Sequence, residues 1–352
     1  MDLAELRERI AGIDRQIIEL MAERTAAAEE VGRIKRSQGL PIVNASVEEK
    51  VIARYTDESE RTGLSKEVLE KVARAFIQEA VEHELAIPPV GEHDVKKVSV
   101  IGGAGKMGMW VSNLLRNDGH EVQAIDPILD NGLTIKDVAD SDIVIVSVPI
   151  HSADGIIRSL DSICRKDALI FDLTSLKTPL SGTLRSMART RRVCSVHPMF
   201  GPSARTMFGR NLIVCDCGNH EATEAVKALF DDRGGNVRVM DIGEHDEYMS
   251  YVLGLSHAVN IAFFTVLQRS GITYEDMRSV ASTTFKKNME TNESVALEDP
   301  ALYYEIQHAN SSRDRMWDIF SGAVSDLREA SVSNDDTKFV ELMDAGRAYF
   351  EN

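Results

Sequence analysis

Apolar residues recur at alternating spacings of three and four from the start of the chain: Leu3, Leu6, Ile10, Ile13, Ile17, Leu20, Ala27, Val31 and Ile34. Nothing breaks the rhythm until Gly39-Leu40-Pro41. Such a period predicts a single amphipathic helix of roughly 35 residues and 50 Å. Its narrow apolar stripe asks for a coiled-coil-like partner. A second helix is predicted to start at the capping box Ser46-Val47-Glu48-Glu49. A third follows Leu64-Ser65, with Leu69, Val72, Ala73, Phe76, Ile77, Ala80 and Val81 on one face. Residues 1–88 therefore read as an all-helical module. Ile87-Pro88-Pro89-Val90-Gly91 opens a stiff linker, taken as residues 89–95.

Beyond residue 96 the period changes. Short apolar runs at Lys97–Ile101, Glu121–Ile125, Ile143–Val148, Ala168–Leu173, Val193–Val196 and Leu212–Cys215 alternate with helical stretches. That alternation predicts a mostly parallel, doubly wound α/β domain over residues 96–243. Residues 244–352 return to helical patterns without strands. The expected architecture is thus multidomain: all-α, then α/β, then all-α. No run of eighteen apolar residues occurs, so no membrane span is expected. The start MDLAELRERI lacks an apolar export segment, and four cysteines without CxxC spacing fit free thiols, which together predict a cytoplasmic protein without a metal site. A net charge of −16 argues against nucleic acid. Any anionic ligand must be held by a few locally concentrated cations working against that field.

The first strand of the middle region runs into Gly102-Gly103-Ala104-Gly105-Lys106-Met107-Gly108. Gly103, Gly105 and Gly108 satisfy G-x-G-x-x-G between a strand and a helix, the pattern that cradles a dinucleotide pyrophosphate at a helix N-terminus. Asp126 closes the second strand, either holding a ribose 2′-OH or serving as a turn residue before Pro127. In the first role it favours NAD over NADP. The strand ending at Pro149 belongs on the nicotinamide side, or is simply a buried strand. Two later strand ends carry chemistry: Ser175-Leu176-Lys177, and His197 at the head of a proline-bounded loop. In open α/β sheets, ligands sit outside the carboxyl ends of the strands.

The runs Ile101–Gly108, Ser147-Val-Pro-Ile-His151, Ser175-x-Lys177 and His197-Pro-Met-Phe-Gly-Pro202, followed by Glu244-His245-Asp246 and Leu255-Ser256-His257, resemble the prephenate dehydrogenases over about residues 96–350. The resemblance implies a Rossmann-type NAD domain, a helical substrate and dimerisation domain, and oxidative decarboxylation of prephenate. His197 would accept the ring-hydroxyl proton, as a neutral imidazole can near neutral pH. Ser175 would orient that hydroxyl. The resemblance assigns His257 to a substrate carboxylate and His245 to support of the cleft; a satisfied structural histidine remains open for both. Lys177 is a candidate for added positive potential, and His151 for a cofactor contact or a helix cap. The family usually clamps the ring carboxylate with an arginine where this chain has Ser294. Lys286 or Lys287 is expected to supply that charge, without arginine's planar fork.

The helical module has its own signal, namely charge on apolar faces. The next stripe position after Leu20 is Arg24, and Lys35 lies about three turns further on the same face. Arg7 points roughly 100° away and suits a dimer partner's pocket instead. Glu84 falls in line with Ile77, Ala80 and Val81. These residues, with Leu6-Arg7-Glu8, Val31-Gly32-x-x-Lys35 and Pro41-Ile42, resemble the all-helical chorismate mutases over residues 1–87. By that resemblance Arg24 and a partner's Arg7 bind carboxylates, Lys35 donates to the ether oxygen and Glu48 takes the ring hydroxyl. Glu84, where some members have glutamine, is expected to be protonated by burial and to donate as well. Val47 stands where relatives often carry another arginine. The alternatives are a non-catalytic helical dimerisation module in front of the dehydrogenase, and arogenate in place of prephenate.

Overall fold

The computed structural model describes residues 2–88, 94–231 and 233–351. Most of the segment expected to be the linker, and with it His93, lies outside those residues. By contact density the chain divides into two compact units. One holds the helical module and most of the sheet domain; the other comprises Pro149–His151, Ser175–Gly182 and everything from Asp241 onward.

In the first unit the long helix is α1, Leu3–Gln38. Asp2 and Glu5 cap its start reciprocally, and Gly39 at φ 64° ends it in the left-handed region, as the sequence predicts. Its stripe is largely uncovered in the single chain: Leu3 is 64% exposed, Ile10 57% and Leu20 64%. Helix α2, Ala45–Thr56, starts one step earlier than expected. Its cap is Asn44, whose side chain accepts from Val47 N, so Ser46 and Glu49 lie inside the first turns and not at a capping box. A short α3, Ser59–Thr62, precedes α4, Lys66–Leu85, capped by Ser65. Helix α4 buries Leu69, Ala73, Ile77, Ala80, Val81 and Glu84, and packs against both α1 and α2. Val72, expected on that face, stays 39% exposed.

The sheet contains β1 Lys97–Ile101, β2 Glu121–Ile125, β3 Ile143–Val146, β4 Leu169–Asp172, β5 Arg192–Pro198, β6 Asn211–Asp216 and β7 Asn236–Asp241. Their spatial order is β2-β1-β3-β4-β5-β6-β7. The first five pair in parallel, while β6 runs antiparallel to β5. Helices α5 Lys106–Asn117, α6 Ile150–Ile163, α7 Thr178–Met187 and α8 His220–Phe230 connect the strands. Strand β7 escaped the sequence reading because its polar, half-exposed residues carry no apolar run. The core is tight at Phe171, fully buried with its ring 6.3 Å edge-on from Phe230. Truncating such a side chain to alanine costs about 3–5 kcal/mol.

The second unit is helical, as expected. Helix α9 Ile242–Met249, a π-helical turn over Ser250–Leu255 and α10 Ser256–Ser270 form one continuous run. Gln307 Nε2 donates to the Gly254 carbonyl within the widened turn, at 2.7 Å. Such turns mark functional segments in many helices, and His257 follows immediately. The run Ile242–Ser270 is long and apolar enough by composition to cross a membrane. Yet it buries His245, Asp246 and His257 within protein. Helices α11 Tyr274–Ser279, α12 Thr283–Ala296, α13 Pro300–Ala309, α14 Arg313–Val332 and α15 Thr337–Glu351 complete the unit. Exposed Ile319, Val324, Leu327 and Phe350 leave an apolar surface on the last two.

Candidate functional site

Three sites are built from separate groups of elements. The first lies between α1, α2 and α4. Lys35 Nζ donates to Glu84 Oε2 at 2.6 Å and to the Ile42 carbonyl at 2.7 Å. Gly32, one turn before Lys35, is needed here: a Cβ on it would stand 2.9 Å from Glu84 Cγ and 2.7 Å from Ile87 Cδ1. Arg24 donates to the Phe76 carbonyl at 3.0 Å and covers the Phe76 ring at 4.9 Å. It is therefore half-buried against α4 and not on an occupied apolar seam. Arg7 is exposed on α1, away from this group. Glu48 faces the same pocket, with Oε1 buried and unpartnered. Burial pushes its carboxyl above the usual carboxylate range, against the pull of Lys35 and Arg74.

One expectation is corrected. Glu84 is buried as predicted, but not as a solitary carboxyl on an apolar face. The ammonium of Lys35 makes it half of an ion pair. Sequence reasoning treated each charge on its own helix; the pair forms across forty-nine residues.

The second site surrounds the glycine loop. Gly102 adopts φ 80°, and its N–H donates to the Ile125 carbonyl at 2.8 Å, tying the loop to β2. A Cβ on Gly103 would stand 2.5 Å from Ala124 Cβ, and one on Gly108 would stand 2.2 Å from the Gly102 carbonyl. These positions admit only glycine, and Gly105 caps α5 without a side chain, leaving its first N–H groups open to an anion. Lys106 is exposed and Met107 partly so at the same helix start. Asp126 Oδ2 accepts from Ala104 N at 3.2 Å and Oδ1 from Ile128 N at 3.1 Å. Asp126 thus serves the turn, as one of its two readings expects, and also stands against the loop. The cradle fits a dinucleotide. Pro149 is exposed, just past β3.

On the same sheet His197 sits in β5, 4% exposed, paired in register with Ile213 of β6. Asp172, fully buried at the end of β4, locks this edge. Its Oδ2 accepts from Ser195 Oγ at 2.5 Å, two residues before His197. Its Oδ1 accepts from Thr174 N and Oγ1 at 2.9 and 2.6 Å.

The third group belongs to the helical unit. Asp246, on α9, accepts from Lys177 N at 2.9 Å, Thr178 N at 2.7 Å and Thr178 Oγ1 at 2.5 Å. His245 Nδ1 lies 2.6 Å from Asp246 Oδ1 and is fully buried. Burial pushes the Asp246 carboxyl up, but the hydrogen bonds from His245 and Thr178 outweigh it and hold it below the usual range. The Ser175-Leu176-Lys177 segment is thereby pinned to the histidine. Ser175 is half-buried, whereas Lys177 is wholly buried and not an open surface cation. His257 stacks on Tyr303 with centroids 4.0 Å apart; burial lowers its pKa and its Nδ1 has no partner. His151 is exposed and hydrogen-bonded to the Glu305 carboxylate. Lys286 and Lys287 are exposed on α12, as is Ser294, and α12 packs on the His257 helix. Sequence reasoning missed the orienting carboxylates Asp172 and Asp246. The one available signal was position: each stands beside a residue already singled out.

Comparison with known proteins follows these boundaries. The family model described as chorismate mutase type II matches residues 6–85. Those described as prephenate dehydrogenase, nucleotide-binding domain and dimerization domain match 108–239 and 241–345. The chain is 27% identical over 351 residues to the T-protein of Haemophilus influenzae, covering 99% of this chain and 92% of that one. Its first quarter is 35% identical over 87 residues to the chorismate mutase of Methanocaldococcus jannaschii, covering 82% of that protein. Among solved structures, prephenate dehydrogenase from A. aeolicus in complex with hydroxyphenyl propionate and NAD+ aligns with a TM-score of 0.60 at 22% identity, over 74% of this chain and 99% of that one.

Proposed function

The chain belongs to the two-enzyme family that joins a type II chorismate mutase to a prephenate dehydrogenase, and from that premise we propose how its residues divide the work. It is a bifunctional enzyme of tyrosine biosynthesis, using NAD. Chorismate rearranges to prephenate, and prephenate is oxidatively decarboxylated to 4-hydroxyphenylpyruvate. The observation that supports the site assignment is the ion pair of Lys35 and Glu84 across α1 and α4, with Glu48 of α2 within electrostatic reach of Lys35.

The mutase step needs no nucleophile; it needs a held conformer and stabilisation of charge growing on the ether oxygen. Lys35 donates to that oxygen, Arg24 and a second copy's Arg7 hold the carboxylates, and Glu48 accepts from the ring hydroxyl. Glu84 keeps Lys35 in place as its ion-pair partner. In the dehydrogenase, a ring nitrogen of His197 takes the hydroxyl proton while Ser175 orients the hydroxyl. The ring carboxylate departs as carbon dioxide and its bonding electrons aromatise the ring. NAD, held by Gly103, Gly105, Lys106, Met107, Gly108, Asp126 and Pro149, supplies the hydride acceptor. His257 meets a substrate carboxylate, Lys286 or Lys287 adds charge, and His245 supports the cleft together with the buried Lys177 segment.

The modules are assigned as residues 1–88, a linker at 89–95, 96–243 and 244–352. The protein is read as a homodimer, supported by the uncovered stripe of α1 and by the dimerisation-domain match. A cytoplasmic location agrees with four free, buried thiols. The test is a two-stage assay. Chorismate without NAD should yield prephenate alone, and adding NAD should then yield NADH and 4-hydroxyphenylpyruvate in equal amounts. Oxidation of supplied prephenate with no conversion of chorismate would make the helical module non-catalytic. A strong preference for arogenate would replace the second substrate.

A further inference from the structure

Strand β4 ends on a carboxylate where packing alone would favour an apolar side chain. Leu169, Ile170 and Phe171 lead into Asp172, and all four are buried, Asp172 completely. A buried carboxylate costs desolvation unless hydrogen bonds offset it, so the groups that Asp172 holds are the ones to explain. The parallel register of β4 and β5 runs from Leu169↔Arg192 to Asp172↔Ser195 and ends there with β4. Strand β5 continues through His197 to Pro198, with β6 antiparallel on its other side. At the level of His197 the exit of β4 is therefore past its paired register, and the Asp172 side chain bridges the gap. Its Oδ2 accepts from Ser195 Oγ at 2.5 Å, while its Oδ1 accepts from Thr174 N at 2.9 Å and Thr174 Oγ1 at 2.6 Å. Phe171, Leu173, Cys194 and Val196 join the apolar cluster of the sheet. Side chains alternate along a strand, so Asp172, Ser195 and His197 share the opposite face.

We propose that Asp172 is a positioning residue for prephenate oxidation: by gripping Ser195 and Thr174 together, it fixes His197 relative to the β4 exit that leads directly into Ser175. The proposal rests on the assignment of His197 as the proton acceptor and of Ser175 as the group that orients the hydroxyl. Asp172 does not meet substrate or cofactor; it acts through its two hydroxyl partners. The arrangement matters because proton transfer needs donor and base within hydrogen-bond reach, and a misplacement of about 1 Å can cost roughly 10²-fold in rate. Without the grip, β5 keeps its pairing with β6, whereas Thr174 loses its anchor. Binding of substrate and cofactor then persists while proton transfer slows, so the loss falls on kcat and not on KM.

The test uses full-length Ser195→Ala and Thr174→Val, each of which deletes one arm of the grip, with Thr174→Ser as the conservative control and Asp172→Asn altering the carboxylate itself. Prephenate oxidation is followed as NADH formation in H2O and in D2O. Ser195→Ala and Thr174→Val should each lower kcat by about tenfold, the scale of one charge-assisted hydrogen bond, with KM for prephenate and NAD unchanged. Both should show a larger solvent isotope effect on kcat than the wild type, because proton transfer has become the slower step. Thr174→Ser should behave as wild type. Asp172→Asn should lose roughly 10²-fold, and adding Ser195→Ala to it should cost little more, since the two act through one bond. If Asp172→Asn does not fold, the hydroxyl variants decide alone. Wild-type kcat in both of them overturns the proposal, and so does a lower kcat with a wild-type isotope effect, which reports only a loss of folded enzyme. His197→Asn separates the two levels of the reading. Oxidation that survives in His197→Asn removes the proton acceptor and the positioning role together. Oxidation abolished there but unaltered in Ser195→Ala and Thr174→Val removes the positioning role alone.

Discussion

Lys35 Nζ and Glu84 Oε2 stand 2.6 Å apart, joining the end of α1 to the end of α4 through an ion pair that is nearly buried on the glutamate side. Breaking a buried pair from one side leaves an uncompensated charge and costs about 3–5 kcal/mol when burial is complete. Lys35 is 23% exposed, so the lower end applies. Lys35→Ala should reduce mutase kcat by roughly 10²–10³, the scale of a lost donor to developing charge. Oxidation of supplied prephenate should continue at the wild-type rate. Glu84→Gln should retain more mutase activity than Glu84→Ala, because the amide still reaches Lys35. Equal loss in the two would show that Glu84 acts by charge and not by positioning.

Glu48 supplies the pH dependence. Burial raises its carboxyl, and the ionised form is the one that accepts a substrate hydroxyl. Mutase kcat/KM should therefore decline as pH falls through a value above the ordinary glutamate range, with the limb absent in Glu48→Gln. The effect on stability has the opposite sign. A raised carboxyl stabilises the fold fully below its unfolded pKa, and that contribution is lost as pH rises through the folded value.

Asp246 holds the His245 ring and the Lys177–Thr178 backbone at once. Asp246→Asn should lower dehydrogenase kcat by roughly 10-fold or more, since one amide cannot accept all these donors, and should cost about 1.5–3 kcal/mol of stability. Mutase activity should be unaffected. Because its folded pKa is depressed, Asp246 stabilises above the unfolded aspartate value, and that contribution disappears as pH falls through the folded one. A wild-type Tm that drops in acid no faster than that of Asp246→Asn would contradict this account.

Gly103 and Gly108 have no room for a Cβ, with 2.5 Å and 2.2 Å to the nearest atoms. Gly103→Ala should raise the KM for NAD by about tenfold or more as the loop retreats from the pyrophosphate. Gly108→Ala should act more strongly, because its obstacle is backbone and cannot swing aside. Chorismate conversion provides the internal control. Unchanged NAD affinity in both variants would place the cofactor elsewhere.

Arg7 is exposed in the single chain, whereas Lys35 faces its own pocket. If each mutase site combines Lys35 of one copy with Arg7 of the other, Arg7→Ala and Lys35→Ala should each be inactive alone. Subunit exchange between them should restore activity, because a mixed dimer rebuilds one intact site of two. Recovery should approach about a quarter of the wild-type rate for random exchange in a homodimer. Absence of recovery despite demonstrated exchange would confine each site to one chain.

Much of this was legible in the linear sequence because it depends on local order. The period of Leu3 to Ile34 requires a helix, the change of rhythm after residue 96 requires a sheet, and a strand followed by Gly103-x-Gly105-x-x-Gly108 requires a tight loop at a helix start. Where local signals were weak or ambiguous, the boundaries shifted. Asn44 displaced Ser46 as a cap, and β7 formed at an edge without an apolar run.

What the sequence by itself determined, then, is which elements exist and which chemical groups they carry. The tertiary structure alone decided which of those groups meet. Glu84 is a titratable acid when read along its helix and an ion-pair partner once α4 packs on α1. Lys177 is a free cation on paper and a buried residue under Asp246 in the fold. Asp172 is merely the last residue of a strand until β5 pairs beside it and brings Ser195 to its carboxylate. The reason is physical: propensity and periodicity act over a few residues, whereas the field at a charged group is set by whatever lies within a few ångströms. In a folded chain those neighbours come from dozens of residues away.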